Sequence, residues 1–179
     1  MNFPDLPAEL RNRIYYFALV QDEPLQLISQ VYCKTAPTFR EPGLLSANRQ
    51  IRSESLSIFY AQNVIQAKVE ALGEDHALLV YAWLDGLSDK TLTMLQTIWL
   101  YDKGDTDKWV EWDVEYWARG ASRRWLEQLC ERVQGYARRG LSKNAIHVPT
   151  CKDGVGAWMP VLQLRSLVGK RRLDGLLCA

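Results

Sequence analysis

Apolar residues recur at helical spacing near the start of the chain. They follow one another at intervals of four, four and three residues: Leu6, Leu10, Ile14 and Phe17. Such spacing places the four side chains on one face of an α-helix. Asp5 is suited to the N-cap of this helix, and Pro7 is suited to its first turn. The pattern therefore predicts a first helix that begins close to Pro7.

A second helical face follows Gly43 and continues to about Ala61. Its members lie three or four residues apart: Leu45, Asn48, Ile51 or Arg52, Leu56 and Phe59. Between the two predicted helices, residues 25–32 alternate in polarity, which indicates a short strand or an extended loop. The first third of the chain is therefore predicted to contain a pair of helices.

Alternating and β-branched runs predict strands in the rest of the chain, at residues 64–69, 95–101, 110–116 and 144–148. The spacing of the aromatic residues at 109–116 also fits a helix, so that segment has two interpretations. Three further helices are predicted between and after the strands. One starts near Glu74, one has Ser122 as its N-cap and Gly140 just beyond its end, and one runs from Pro160 to Val168.

The chain has 179 residues, of which 47% are hydrophobic, and this lies within the usual size of one domain. The predicted elements indicate an α+β fold, in which an N-terminal helical pair packs with a small mixed sheet and further helices. We expect a single domain over residues 1–179, with the helical part at 1–62 and the mixed part at 63–179.

Charge is distributed unevenly along the chain. Residues 1–118 carry 10 Lys and Arg against 17 Asp and Glu (10 − 17 = −7), and residues 119–179 carry 12 against 4 (12 − 4 = +8). The basic third includes Arg119, Arg123, Arg124, Arg138, Arg139, Arg171 and Arg172. An acidic face could pack against a basic one within the fold, or the basic residues could form a surface for nucleic acid or an acidic partner.

Tryptophan is frequent, and four of the seven tryptophans lie within 17 positions: Trp109, Trp112, Trp117 and Trp125. Aromatic residues interleaved with arginines could stack on bases and contact phosphates. They could equally form the edge of a core, because Trp is mostly buried and arginine stems pack over aromatic rings. No nucleic-acid-binding motif surrounds them, so we favour core packing or protein contact.

Several classes of function lack a signature in this sequence. The four cysteines are widely spaced, which argues against a zinc site and suits a reducing compartment. No nucleophile, phosphate-loop or metalloprotease motif occurs, and His76 and His147 stand 71 positions apart. No leader-like or membrane-spanning apolar run is present. We expect a non-enzymatic protein without cofactor or metal, in the cytoplasm or nucleus and without a membrane partner.

Charged residues accompany both predicted helices of the first third. Glu9 and Arg13 lie four apart in the favourable order for a helical ion pair. Arg49 and Arg52 could reach from the second helix to Glu9 or to backbone carbonyls, and would then fix the angle between the helices. We therefore expect Arg52 to be structural, with a loss of about 3 to 5 kcal/mol on substitution if its ion pair is buried.

Two stretches of the chain follow longer motifs. The first, LPAELRNRIY, follows the pattern LPxELRxxIY, and the second, FREPGLLSANRQIRSESLSIFYAQN, follows the pattern FREPxLLxxNRQIRxExxxxFYxxN. Both resemble the motifs of fungal F-box-like proteins related to the two-EXR domain family. The resemblance covers about the first 70 residues well and the later elements only loosely.

The resemblance implies an intracellular interaction module similar to the helices with which F-box proteins dock the linker subunit of cullin ubiquitin ligases. In that docking, Leu6, Pro7, Leu10 and Ile14 would contact the linker subunit. The same apolar side chains could instead bury the first helix in the core, which we expect here. The resulting hypothesis is a protein-interaction module that could act as a substrate adaptor, and the alternative is a nucleic-acid-binding protein that uses the basic last third.

Overall fold

The computed structural model describes residues 3–27, 41–68, 77–101, 120–152 and 155–177. The described helices are α1 (Ala8–Leu19), α2 (Arg49–Gln62), α3 (Ala77–Gly86), α4 (Asp89–Met94), α5 (Gly120–Arg138) and α6 (Val161–Leu177), with 3-10 helices at Phe3–Asp5 and Gly43–Ser46. The described strands are β1 (Leu25–Leu27), β2 (Val64–Lys68), β3 (Thr97–Tyr101), β4 (Ile146–Lys152) and β5 (Val155–Pro160).

The five strands form one mixed sheet in sequence order, β1-β2-β3-β4-β5. The first four strands are parallel, and β5 returns antiparallel to β4. Parallel neighbours need long connections, and the connections between β2 and β4 contain α3, α4 and α5 in their described parts. The predicted α+β class with a mixed sheet is therefore confirmed.

The two faces of the sheet differ in burial. Ile65 pairs with Ile98, and Ile98 pairs with Ile146, so the three lie on one face, where each is almost fully buried. The other face carries Trp99 and His147, both half-buried, beside each other in the register. The Trp99 ring stacks on that of Trp158 at 4.7 Å, and burial lowers the pKa of His147. His147 is thus a strand residue, as expected.

The two N-terminal helices pack on each other and share a core with the rest of the fold. Helix α1 packs on α2, α2 also contacts α4, and α5 packs on α6. The buried apolar side chains form a core cluster that runs from Tyr15 to Leu164. The described residues thus join the predicted helical pair to the sheet through one core.

Of the three residues predicted to cap helices, two do not and one does. Asp5 does not cap α1, because the N-cap position is occupied by Pro7, and Ser122 does not cap α5, which already begins at Gly120. Gly140 does lie just past α5, with a φ of 108°. Its N–H donates to the Ala137 carbonyl, and the Leu141 N–H donates to the Tyr136 carbonyl, the pattern of a Schellman motif.

Other elements were missed by the sequence pattern or differ from it in their bounds. The sequence pattern missed α4 and β5, and it ran the second helix through Ala47, where the 3-10 helix ends before α2 begins. Pro160 ends β5, and α6 starts one residue later. The predicted strand at 110–116, and the tryptophans at 109, 112 and 117, lie outside the described residues.

Candidate interaction surface

Helix α1 exposes the apolar stripe that the sequence pattern places in the core. Leu10, Ile14 and Phe17 are 48%, 44% and 73% exposed, whereas Tyr15 and Leu19 are fully buried. The expectation that the stripe is internal is therefore wrong. The physical reason is that α1 is apolar on two sides, and the side bearing Tyr15 and Leu19 packs inward.

The other residues proposed for protein contact lie at the start of the same helix. Pro7 is exposed and Leu6 is half-buried. With Leu10, Ile14 and Phe17 they define what we call the outer face of α1. The structure thus places Leu10 and Ile14 on one exposed side of α1, and Leu6 and Pro7 in the chain that leads into the helix.

An ion pair holds the inner side of α1 to α2. The Arg11 Nε donates to Glu54 Oε2 at 2.9 Å, and Nη2 donates to Oε1 at 2.9 Å. This two-bond geometry is the strong and directional form of an arginine–carboxylate contact. The side chains are only 15% and 25% exposed, so α1 is fixed to α2 near its N-terminal end.

Further donors complete the Glu54 site. The Tyr15 hydroxyl donates to Oε2 at 2.9 Å, and Gln50 Nε2 donates to Oε1 at 3.0 Å. Hydrogen bonds from Arg11, Gln50 and Tyr15 lower the pKa of Glu54 to about 2. Arg11 also donates to the carbonyls of Leu6 and Pro4, which ties the chain that enters α1 to the same site.

Asn63 fastens the opposite end of the helical pair. Its side-chain Nδ2 donates to the carbonyls of Leu19 (2.9 Å) and Phe59 (2.8 Å), and its Oδ1 accepts from the Gln21 N–H (2.8 Å). Leu19 and Phe59 lie in the last turns of α1 and α2, where helical carbonyls lack intrahelical partners. Because Asn63 is 98% buried, these bonds link the two helix ends inside the protein.

The predicted charge contact between the helices uses different residues. Arg52 does not reach Glu9; its Nη1 donates to Glu41 Oε2 at 3.0 Å and to the Leu45 carbonyl at 3.2 Å. The Tyr60 hydroxyl binds the other Glu41 oxygen at 2.9 Å. Arg52 therefore binds the segment that precedes α2. The ion pair between α1 and α2 is made by Arg11 instead.

The remaining motif residues have local roles. The Asn48 side chain caps α2 by accepting from the Ile51 N–H at 2.8 Å. Arg49 is exposed. Among the salt bridges of the described residues, none joins Glu9 to Arg13; the Arg13 guanidinium instead lies over the Phe17 ring, 5.9 Å from its centroid. The helical spacing alone did not determine which neighbour Arg13 contacts.

We expect Arg52→Ala to reduce the free energy of unfolding by about 1 kcal/mol or less, because exposed ion pairs contribute little. The Arg52 side chain is 47% exposed, so the condition for the larger loss is not met. Chemical denaturation of both proteins measures the difference. A loss above about 3 kcal/mol would mean that the pair acts as a buried one.

Of the seven basic residues proposed as a surface, the four whose side chains the structure describes are interspersed with carboxylates. Arg123 pairs with Glu127 at 2.9 Å, and Arg139 pairs with Asp89 at 2.8 Å. Arg124 and Arg138 are exposed near opposite ends of α5. The exposed carboxylates of Glu127 and Glu131 lie between them along the helix. Arg119, Arg171 and Arg172 lie outside the residues whose side chains are described.

Comparison of the chain with models of protein families, with curated proteins and with solved structures gave no match. Within the ranges that the structure describes, no three His, Cys, Asp or Glu side chains come together in a way that could hold a metal ion. No helix in those ranges has the length and apolar character needed to cross a lipid bilayer.

Glu54→Gln should lower the melting temperature at neutral pH, because an amide cannot replace the carboxylate that Arg11, Tyr15 and Gln50 bind. The folded-state pKa is about 2 and the ordinary value is 4.5, so the carboxylate stabilises the fold fully above about pH 4.5. That contribution declines as the pH falls from there toward about 2.

Melting curves of wild type and Glu54→Gln across this pH range test the prediction. The gap between them should be constant above about pH 5 and narrow below it. Glu9→Gln, an exposed carboxylate of α1 outside this ion pair, is the matched control. A gap that stays the same down to about pH 2 would refute the assigned role of Glu54.

Proposed function

We propose that this protein is a non-enzymatic protein-interaction module and that the outer face of α1 binds its partner. The proposed partner is the linker subunit of cullin ubiquitin ligases, which the resemblance of the first 70 residues implies. A role as a substrate adaptor in the cytoplasm or nucleus would follow from that contact.

The observation that carries the proposal is the exposure of an apolar stripe on a helix that is fixed from behind. Leu10, Ile14 and Phe17 stand at i, i+4 and i+7, the spacing with which a helix places anchors in an apolar groove of a partner. Large exposed apolar groups that cluster on one face mark interaction sites more often than scattered single ones do. The cluster of three on one helix therefore supports a docking role.

The second observation that supports the proposal is that α1 is held in place at both ends. Arg11 and Glu54 hold one end of α1, and Asn63 holds the other. A helix already held in its binding position loses little conformational freedom on docking, so more of the contact energy remains as affinity. These inner contacts therefore hold the outer face of α1 in the position in which it would bind a partner.

Binding of the purified linker subunit to the purified chain tests the proposal by isothermal titration calorimetry. Wild type should bind, and Ile14→Asp should weaken binding at least about tenfold, since it puts a charge in the apolar contact. Asn12→Asp, an exposed change on the same helix away from the stripe, is the matched control and should bind like wild type. Equal affinity of all three proteins, or no binding by wild type, would contradict the proposal.

A further inference from the structure

Arg13 borders the outer face of α1. At about 100° per residue, it lies about 40° from Phe17 and about 60° from Leu10 around the helix axis, while Glu9 is about 100° from Leu10. The Arg13 guanidinium lies 5.9 Å from the centroid of the Phe17 ring. Its positive charge is therefore held beside the most exposed apolar side chain of the stripe.

The charge of Arg13 is not neutralised by a carboxylate of the part of the chain that the structure describes. Four other arginines there form salt bridges: Arg11, Arg52, Arg123 and Arg139. Glu9 precedes Arg13 by four residues, the favourable spacing for a helical pair, yet the arginine extends the other way, over Phe17. Arg13 is thus turned toward the proposed contact.

A partner that covers Phe17 also removes water from the Arg13 guanidinium. Burying a charge without an opposite charge is strongly unfavourable, so a partner that encloses the guanidinium is expected to carry an opposite charge at this point. Arginine and aromatic residues also dominate the binding energy of many interfaces. We propose that the surface that binds α1 is an apolar groove with a carboxylate facing Arg13; this rests on the proposed function.

A second copy of this chain fits this surface poorly. An antiparallel contact of two α1 helices centred on the stripe brings residue 13 of each copy close to the two-fold axis. Two Arg13 guanidinium groups would then approach each other, and like charges in a contact are unfavourable. The charge pattern therefore favours a different protein with an acidic group in its groove.

Titration of the purified linker subunit into wild type, Arg13→Gln and Arg124→Gln, at about 50 and about 300 mM NaCl, tests the inference. Arg13→Gln should weaken binding about tenfold, the scale of one charge-assisted hydrogen bond. Between the low and the high salt concentration, the affinity of Arg13→Gln should also fall less than that of wild type. Arg124→Gln, an exposed arginine of α5, should behave like wild type. Because Arg13 is exposed, all variants should keep the wild-type melting temperature.

The outcomes separate the two proposals. If wild type binds, and Arg13→Gln binds with the same affinity and the same salt dependence, the proposed carboxylate is refuted. The docking role of α1 is then unaffected. Absence of wild-type binding would overturn both. A dimer of the chain alone in light scattering, abolished by Ile14→Asp, would show that a second copy occupies the surface and would overturn the inference.

Discussion

Asn63→Ala is expected to lower the free energy of unfolding by about 3 kcal/mol, because leaving buried polar groups without partners costs about 1 to 3 kcal/mol each. The substitution removes both donors from the Leu19 and Phe59 carbonyls and the acceptor from the Gln21 N–H. Water entering the space left by the amide would recover part of the loss, so the sum is smaller than three full penalties.

Chemical denaturation measures this effect, with Asn12→Ala as the control because Asn12 is an exposed asparagine of α1. The control should change stability by less than about 0.5 kcal/mol. Asn63→Asp distinguishes the donors from the acceptor. It keeps an oxygen for Gln21 but sets a carboxylate against two carbonyls, so it should be at least as unstable as Asn63→Ala. A loss below about 1 kcal/mol for Asn63→Ala would contradict the assigned link between the helix ends.

Gly140→Ala is expected to cost about 3 kcal/mol, through two separate causes. The residue has a φ of 108°, a conformation that side chains with a Cβ atom rarely adopt. An added Cβ would also lie 2.5 Å from Thr93 Cγ2. Rotating that methyl group away would break the bond from Thr93 Oγ1 to the Lys90 carbonyl.

Two further variants separate these causes in the same denaturation experiment. Gly135→Ala, inside α5 with open space around it, should stabilise the protein by about 0.5 to 1 kcal/mol. Combining Gly140→Ala with Thr93→Ser removes the methyl clash and should recover only the steric part of the loss. If Gly140→Ala were as stable as wild type, the left-handed conformation assigned to residue 140 at the end of α5 would be refuted.

Local patterns in the sequence predicted much of the fold because their causes are local. The strand at β2 follows from its β-branched run, and the end of α5 follows from a glycine that can adopt positive φ. The 155–160 segment contains Gly156 and ends at Pro160, which hides the period-two signal of β5. Short α4 carries too few residues for a period to be seen.

The site was predicted only in part, because its decisive contacts are long-range. Periodicity identifies an apolar stripe on α1, but it cannot tell whether that stripe or the one with Tyr15 faces inward. The choice follows from Glu54, which lies 43 positions after Arg11 and 39 after Tyr15 and binds both. Arg11, Glu54 and Asn63 all stand at positions of the quoted motifs, and that was the available signal for them.

The central claim is that the outer face of α1 is open in the free protein and covered by a partner. Hydroxyl-radical footprinting of Phe17, alone and with the linker subunit, tests it most directly. We expect Phe17 to be oxidised rapidly in the free protein, Tyr15 to be protected, and Phe17 to become protected in the complex. Protection of Phe17 equal to that of Tyr15 in the free protein, or an unchanged Phe17 rate with the linker subunit at saturation, would contradict the claim.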